Sequence, residues 1–173
     1  MQSIGDPVKQ IKEKYIVDVN AALEQYSDMV YKISLAQTKN KHDAEDVFQE
    51  VFMRLAKRPE TITSEEHLKA WLIRVTLNCC KKNFRFWRRN TTELTEDVAS
   101  FTPEEYGLYQ SVMDLPPKYR VVIHLFYYED MPIKEICSIL GVKESTIKSQ
   151  LLRGRNLLIE ALKGEFDQFG EPV

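Results

Sequence analysis

Apolar residues recur along this chain at steps of three and four, the period that gathers them on one side of a helix. Ala22, Tyr26, Met29, Ile33 and Ala36 form a first stripe, ending where Asn40 suits a helix terminus. Asp43 is expected to cap the next helix, in which Ala44, Val47, Phe48, Val51, Phe52 and Leu55 form a second stripe closed by Pro59. Past the short loop TITSE, with Ser64 as cap, a long pattern runs through Leu68, Trp71, Leu72 and Val75 toward Phe84. The stretch Asn90–Phe101 has no stripe, is rich in Thr and acid, and reads as an interdomain linker. Thr102-Pro103-Glu104-Glu105 has the composition of a helix start, with a Thr cap, proline in the first turn and a capping-box Glu. Leu115-Pro116-Pro117 interrupts the chain again, and three short helical patterns follow near Pro117–Tyr128, Pro132–Leu140 and Glu144–Leu162. No segment alternates with the period of two that a strand requires. The expected fold is therefore all-α, with an N-terminal helical bundle over residues 1–89 and a C-terminal helix-turn-helix domain over residues 102–173. A flexible acidic linker over residues 90–101 is expected to join them.

Composition narrows the function. No apolar run approaches the roughly 18 residues that span a bilayer, and the N-terminus lacks the basic-then-apolar order of a secretory signal. The cytoplasm is the expected compartment, with no membrane insertion. Cys79 and Cys80 are adjacent and Cys137 is distant, while His42, His67 and His124 are scattered, so no metal-ligand spacing exists. Buried, inert thiols are expected, with no cofactor. The net charge of −2 conceals a segregation, because Lys69–Arg89 carries 7 basic residues and no acidic one, whereas Glu93–Asp114 carries 6 acidic and no basic one. A basic block in a nearly neutral chain points to an anionic partner.

The sharpest local signal is PIKEICSILGVKESTIKSQLLRGR. Ile136 and Leu140 are expected to face inward from a first helix, with small Cys137 at the crossing. Gly141 permits a left-handed turn, Val142 plugs it, and Ile147 and Leu151 anchor a second helix. That is a helix-turn-helix, which offers the second helix to the major groove. Lys143, Glu144, Ser145, Thr146, Lys148, Ser149, Gln150, Arg153 and, beyond them, Arg155 are the candidate contacts to phosphates and base edges. Upstream, Arg74, Asn78, Lys81, Arg85 and Arg88 recur at helical steps on one face, with Lys82 beside them and Phe84, Phe86 and Trp87 interleaved. Cations for phosphate and flat rings for bases suit a melted strand. The helix from Asp43 to Lys57 turns Glu45, Asp46, Gln49 and Glu50 outward, a face that repels DNA and fits a basic protein partner.

Together, DAEDVFQEVFMRLAK, HLKAWLIRVTLNCCKKNFRFWRR and LPPKYRVVIHLFYYEDMPIKEICSILGVKESTIKSQLLRGRNLL resemble, in order and spacing, the ECF-type (extracytoplasmic function) RNA polymerase sigma factors over about residues 20–163. The resemblance implies a promoter-specificity subunit of core RNA polymerase and no enzyme. Glu45, Asp46, Gln49 and Glu50 would then dock on the coiled coil of the largest polymerase subunit. The loop Pro59–Glu66, with Thr61 and Ser64, would match the family's base-capturing loop. Arg74, Asn78, Lys81, Lys82, Arg85 and Arg88 would line the minus-ten strand, and Lys143–Arg155 would read the minus-thirty-five element. The linker would thread the polymerase's RNA channel. An anti-sigma factor is a further possible partner, and no small-molecule substrate is implied. Three departures stand out: Lys143 replaces the family's frequent Ser or Thr cap; Gly154 replaces a commoner alanine, at a cost of about 1 kcal/mol inside a helix; and Cys79-Cys80 with the loop TITSEE give no familiar promoter match, which leaves the target sequence open. A helix-turn-helix repressor acting without polymerase and a helical adaptor protein are the alternatives.

Overall fold

A computed structural model of the chain describes residues 15–57, 62–87 and 103–169. The side chains of residues 82–87, 103–106 and 164–169 fall outside that description. Expectations for Thr61, Arg88, the Thr102 cap and the 90–101 linker therefore lie outside the described residues, as do those for the side chains of Lys82 and Arg85.

The described residues form α-helices joined by short loops, with no strand among them: α1 (Val19–Thr38), α2 (Lys41–Lys57), α3 (Glu65–Trp87), α4 (Pro103–Asp114), α5 (Pro117–Ile123), α6 (Ile133–Leu140) and α7 (Glu144–Phe169). A π-helical turn, His124–Tyr128, continues α5 and is closed by the Glu129 N–H donating to the His124 carbonyl at 3.2 Å. The helix boundaries follow their caps. Asp18 opens α1 by accepting from the N–H groups of Asn20 and Ala21. The first helix ends at Thr38, two residues before the expected Asn40, and its C-cap Lys39 takes a left-handed conformation with φ 56°. Asn40 instead starts α2, its Oδ1 accepting from the Asp43 N–H at 3.1 Å, so the cap is Asn40 and Asp43 sits in the first turn. Asn and Asp cap equally well, and only the fixed bond separates the two readings. Ser64 caps α3 as expected, its Oγ accepting from the His67 N–H at 3.1 Å.

The predicted stripes are the core. Ala22, Tyr26, Met29, Ile33 and Ala36 of α1 meet Ala44, Val47, Val51, Phe52 and Leu55 of α2, and Leu68, Leu72, Ile73 and Leu77 of α3 close the bundle. In the C-terminal unit Val122, Ile123 and Leu125 pack with Ile136, Ile147 and Leu151. On α6 it is Ile139 that is buried beside Ile136, whereas Leu140 is half-buried. The last helix is also longer than its apolar pattern suggested, running on to Phe169. The two units share one continuous apolar cluster, with α1 against α5 and α3 against α6.

Gly154 shows why a helix interior can hold glycine. A Cβ there would stand 3.1 Å from Ile123 Cγ1 and 3.3 Å from Cδ1, so its absence lets α7 approach α5.

Candidate nucleic-acid interface

The helix-turn-helix forms as its sequence implies. Gly141 closes α6 at φ 68°, its N–H donating to the Cys137 carbonyl, and Val142 lies half-buried in the turn. α7 opens without a side-chain cap from a Ser or Thr; the Lys143 carbonyl accepts from the Thr146 and Ile147 N–H groups. With Ile147 and Leu151 buried, Lys143, Glu144, Ser145, Lys148, Ser149 and Arg153 are exposed and Thr146 and Gln150 are half-buried. Two of the cations already have partners. Lys148 Nζ lies 2.7 Å from Glu144 Oε1, a pair that holds the Glu144 carboxyl below the usual carboxylate range. Arg153 hydrogen-bonds the Tyr119 hydroxyl, which lowers that phenol from its ordinary value. Arg155 stands apart, its guanidinium 6.0 Å from the Phe126 ring centre and 5.7 Å from that of Tyr127. It belongs to the flank of α7, six residues and about 240° round the helix from Ser149.

On α3 the expected periodicity is realised: Arg74, Asn78 and Lys81 are exposed, while Leu72, Ile73, Thr76, Leu77, Cys79 and Cys80 are buried. Burial pushes the Cys80 thiol up to about 12, as befits an inert side chain. The basic face meets the C-terminal unit. Arg74 donates from its guanidinium to the Ser138 carbonyl at 3.2 Å and the Ile139 carbonyl at 3.4 Å, at the end of α6. Unpaired carbonyls at a helix C-terminus attract cations. Arg74, Asn78 and Lys81 share with Ser138–Gly141 a cleft of about 340 Å³.

The α2 face is set by buried Ala44, Val47 and Val51, which turn Asp46 and Gln49 fully outward and leave Glu45 and Glu50 half-exposed. Glu50 Oε1 takes the Arg54 Nε–H at 2.7 Å, so part of its charge is spent within the helix.

Comparison with known proteins decides what these surfaces belong to. The family model described as "Sigma-70 region 2" matches residues 22–91, and that described as "Sigma-70, region 4" matches residues 107–158. The chain belongs to the sigma-70 family, in its ECF group. It is 26% identical to the ECF RNA polymerase sigma factor SigW of Bacillus subtilis, an alignment covering 90% of this chain and 95% of that one. It is 32% identical to the ECF sigma factor SigE of Mycolicibacterium smegmatis over 81% of this chain and 60% of the relative. Among solved structures, the sigma factor RpoE of Bartonella quintana, in complex with the anti-sigma factor NepR, superposes with a TM-score of 0.72 at 20% identity, covering 83% of this chain and 96% of that one. CnrH, in complex with the cytosolic domain of CnrY, gives 0.66 at 19% identity over 84% and 88%. This sigma-70 chain thus has the two-unit helical fold of its group. No helix among the described residues is long and apolar enough to cross a membrane.

Several further groups of this sigma factor have neighbours that the linear pattern does not show. Lys118, at the start of α5, borders a groove of about 290 Å³ with Ser145, Ser149, Gln150 and Arg153. Arg120, also on α5, is 3% exposed and reaches across to α1, donating to the Ala36 carbonyl at 2.6 Å and to the Leu115 carbonyl at 2.6 Å. Near the α3 start, Gln25 and Tyr26 both donate to Glu65 Oε1, at 2.7 and 3.3 Å. Burial, then the Glu65 charge, pushes the Tyr26 phenol up to about 12. No periodic pattern marks these pairings, and two of them, Arg120 with Ala36 and Gln25 with Glu65, join residues forty or more positions apart.

Proposed function

We propose that this sigma factor directs core RNA polymerase to promoters through three separate surfaces: α2 for polymerase, the 59–66 loop and α3 for the minus-ten strand, and the start of α7 for the minus-thirty-five element. The observation that carries the reading is the separation of charge by face, with Asp46 outward and Glu45 and Glu50 half-exposed on α2, and Arg74 and Lys81 outward on α3. An acidic face recognises basic protein, and a basic one recognises phosphate. Residues 1–89 and 102–173 act as separate domains in this scheme, joined by residues 90–101. Sigma factors are initiation factors rather than enzymes, and we assign this chain no chemistry of its own; nucleotide addition belongs to the polymerase. Its work is done where polymerase and promoter meet, in the cytoplasm. Because RpoE and CnrH are held by NepR and CnrY, a partner of the anti-sigma kind is assigned here as well.

Arg74 supports a further element of the reading. Its bonds to the end of α6 compete with bonds to DNA phosphate, so the two units must part before the α3 face can receive a strand. A repressor working alone would gain nothing from a reading surface engaged by its own second unit.

Reversing the charge of Asp46 and adding a positive one at Gln49 tests the assignment. Asp46→Lys with Gln49→Lys is expected to abolish co-purification with core polymerase. Helical content should be retained, with stability changed by about 0.5 kcal/mol per site. Undiminished co-purification of the folded double variant would refute the docking surface.

A further inference from the structure

The loop before α3 carries a bond pattern that ordinary helix capping does not explain. Ile62, 1% exposed, anchors the chain in the bundle, and Thr63 follows it, exposed. The Thr63 N–H points at His67 Nδ1 at 3.3 Å, and the Thr63 hydroxyl lies 3.2 Å from the same nitrogen. Ser64 meanwhile accepts from the His67 N–H at 3.1 Å. In the usual capping box the third helical residue reaches back to the N–H of the cap itself. Here it reaches one residue further, to the residue before the cap. The backbone N–H can only donate, so His67 Nδ1 must be the acceptor and the ring proton sits on Nε2. The first turn of α3 is itself held to α1, through Gln25, Tyr26 and Glu65. Thr63 is thereby tied to a fixed platform, although it lies in a loop.

We propose that His67 is a positioning residue for minus-ten recognition: by accepting from Thr63 it fixes the backbone of residues 62–64, where the base-reading loop enters α3, in one geometry. This inference rests on the reading in which the 59–66 loop captures a promoter base. A loop with its direction of approach set in advance loses less freedom on binding and discriminates more sharply between bases. His67 need touch no DNA to do this. The relevant atom is Nδ1, which makes the proposal separable from general loss of helix capping. Asparagine places its Oδ1 where His67 holds Nδ1, whereas glutamine carries its acceptor one bond further out.

The test is selection of active promoters from a library randomised at both elements, using holoenzyme reconstituted with the unaltered chain, with His67→Asn, His67→Gln and His67→Leu, and with residues 59–64 exchanged for those of a relative. His67→Leu and His67→Gln are expected to flatten the preference at a minus-ten base by about fivefold, the change one ordinary hydrogen bond commands. The minus-thirty-five preference and polymerase affinity should stay as they were. His67→Asn should keep the original profile within about twofold. Should His67→Leu be too unstable to reconstitute, His67→Gln carries the comparison. An original minus-ten profile in His67→Gln, while the loop exchange shifts it, overturns the proposal and leaves the loop assignment standing. Equal impairment of His67→Asn and His67→Gln also overturns it. If the loop exchange itself leaves the minus-ten preference unaltered, the underlying reading falls and the proposal with it.

Discussion

Replacing Arg120 with methionine isolates the contact between the two units. The guanidinium is almost fully buried, and burial lowers its pKa from the ordinary value while the Asp114 charge raises it. Its two bonds go to the Ala36 carbonyl of α1 and the Leu115 carbonyl at the end of α4, each at 2.6 Å. Methionine matches the length and retains most packing, but donates nothing. Each charge-assisted bond is worth about 1.5–3 kcal/mol, and recovery of the cost of burying a charge offsets part of that. A total destabilisation of about 3 kcal/mol is expected, with about 1.4 kcal/mol belonging to the Ala36 bond alone. That share corresponds to a tenfold fall in the ratio of joined to parted units. Denaturation of the variant gives the first number. Spin labels placed at the exposed Glu24 and Glu160 report separation of the units. Binding of a single-stranded minus-ten oligonucleotide reports release of Arg74. An unchanged label distance together with unchanged oligonucleotide affinity would refute the idea that Arg120 clasps the α1 end.

Two further outcomes follow from local geometry. Gly154→Ala gains about 1 kcal/mol of helix propensity but crowds Ile123 at 3.1 Å, an overpacking that costs about 1–3 kcal/mol. A net loss near 1 kcal/mol in chemical denaturation is expected, and a stabilised variant would show that α7 and α5 can part freely. Tyr26→Phe removes the donor to Glu65 and should cost about 1 kcal/mol at neutral pH. Because the folded phenol keeps its proton up to about 12, the unfolded chain ionises first, so stability falls as pH rises from about 10 toward 12. The phenylalanine variant should lack that part of the alkaline decline, and an identical decline in both proteins would dismiss the Tyr26–Glu65 bond.

Periodicity made the three N-terminal helices and the helix-turn-helix legible because each is amphipathic over several turns. The stripes from Ala22 to Ala36 and from Ala44 to Leu55 needed only a count of three and four. The same count separated Arg74, Asn78 and Lys81 from the buried side of α3. Caps were less legible where two good candidates stood close together, and Asn40 prevailed over Asp43 through one bond. The continuation of α7 to Phe169 was missed because its later turns carry no strict stripe.

Fold class, the order of the helices, the sign of charge on the α2 and α3 faces and the likeness to the sigma-70 family are all legible in the linear pattern of residues. These depend on neighbours within one or two turns, where helix geometry dictates who faces whom. Which groups hold one another across the fold depends on how the helices pack. Arg74 closing the end of α6, Arg120 reaching Ala36, Glu65 joined to Tyr26, and Gly154 admitting Ile123 all pair residues whose separation along the chain has no period. His67 is the near-range exception: it lies only four residues from Thr63, yet the bond depends on a loop conformation fixed by buried Ile62. A linear pattern carries the direction in which a side chain points, and the packing of one helix on another supplies what it meets there.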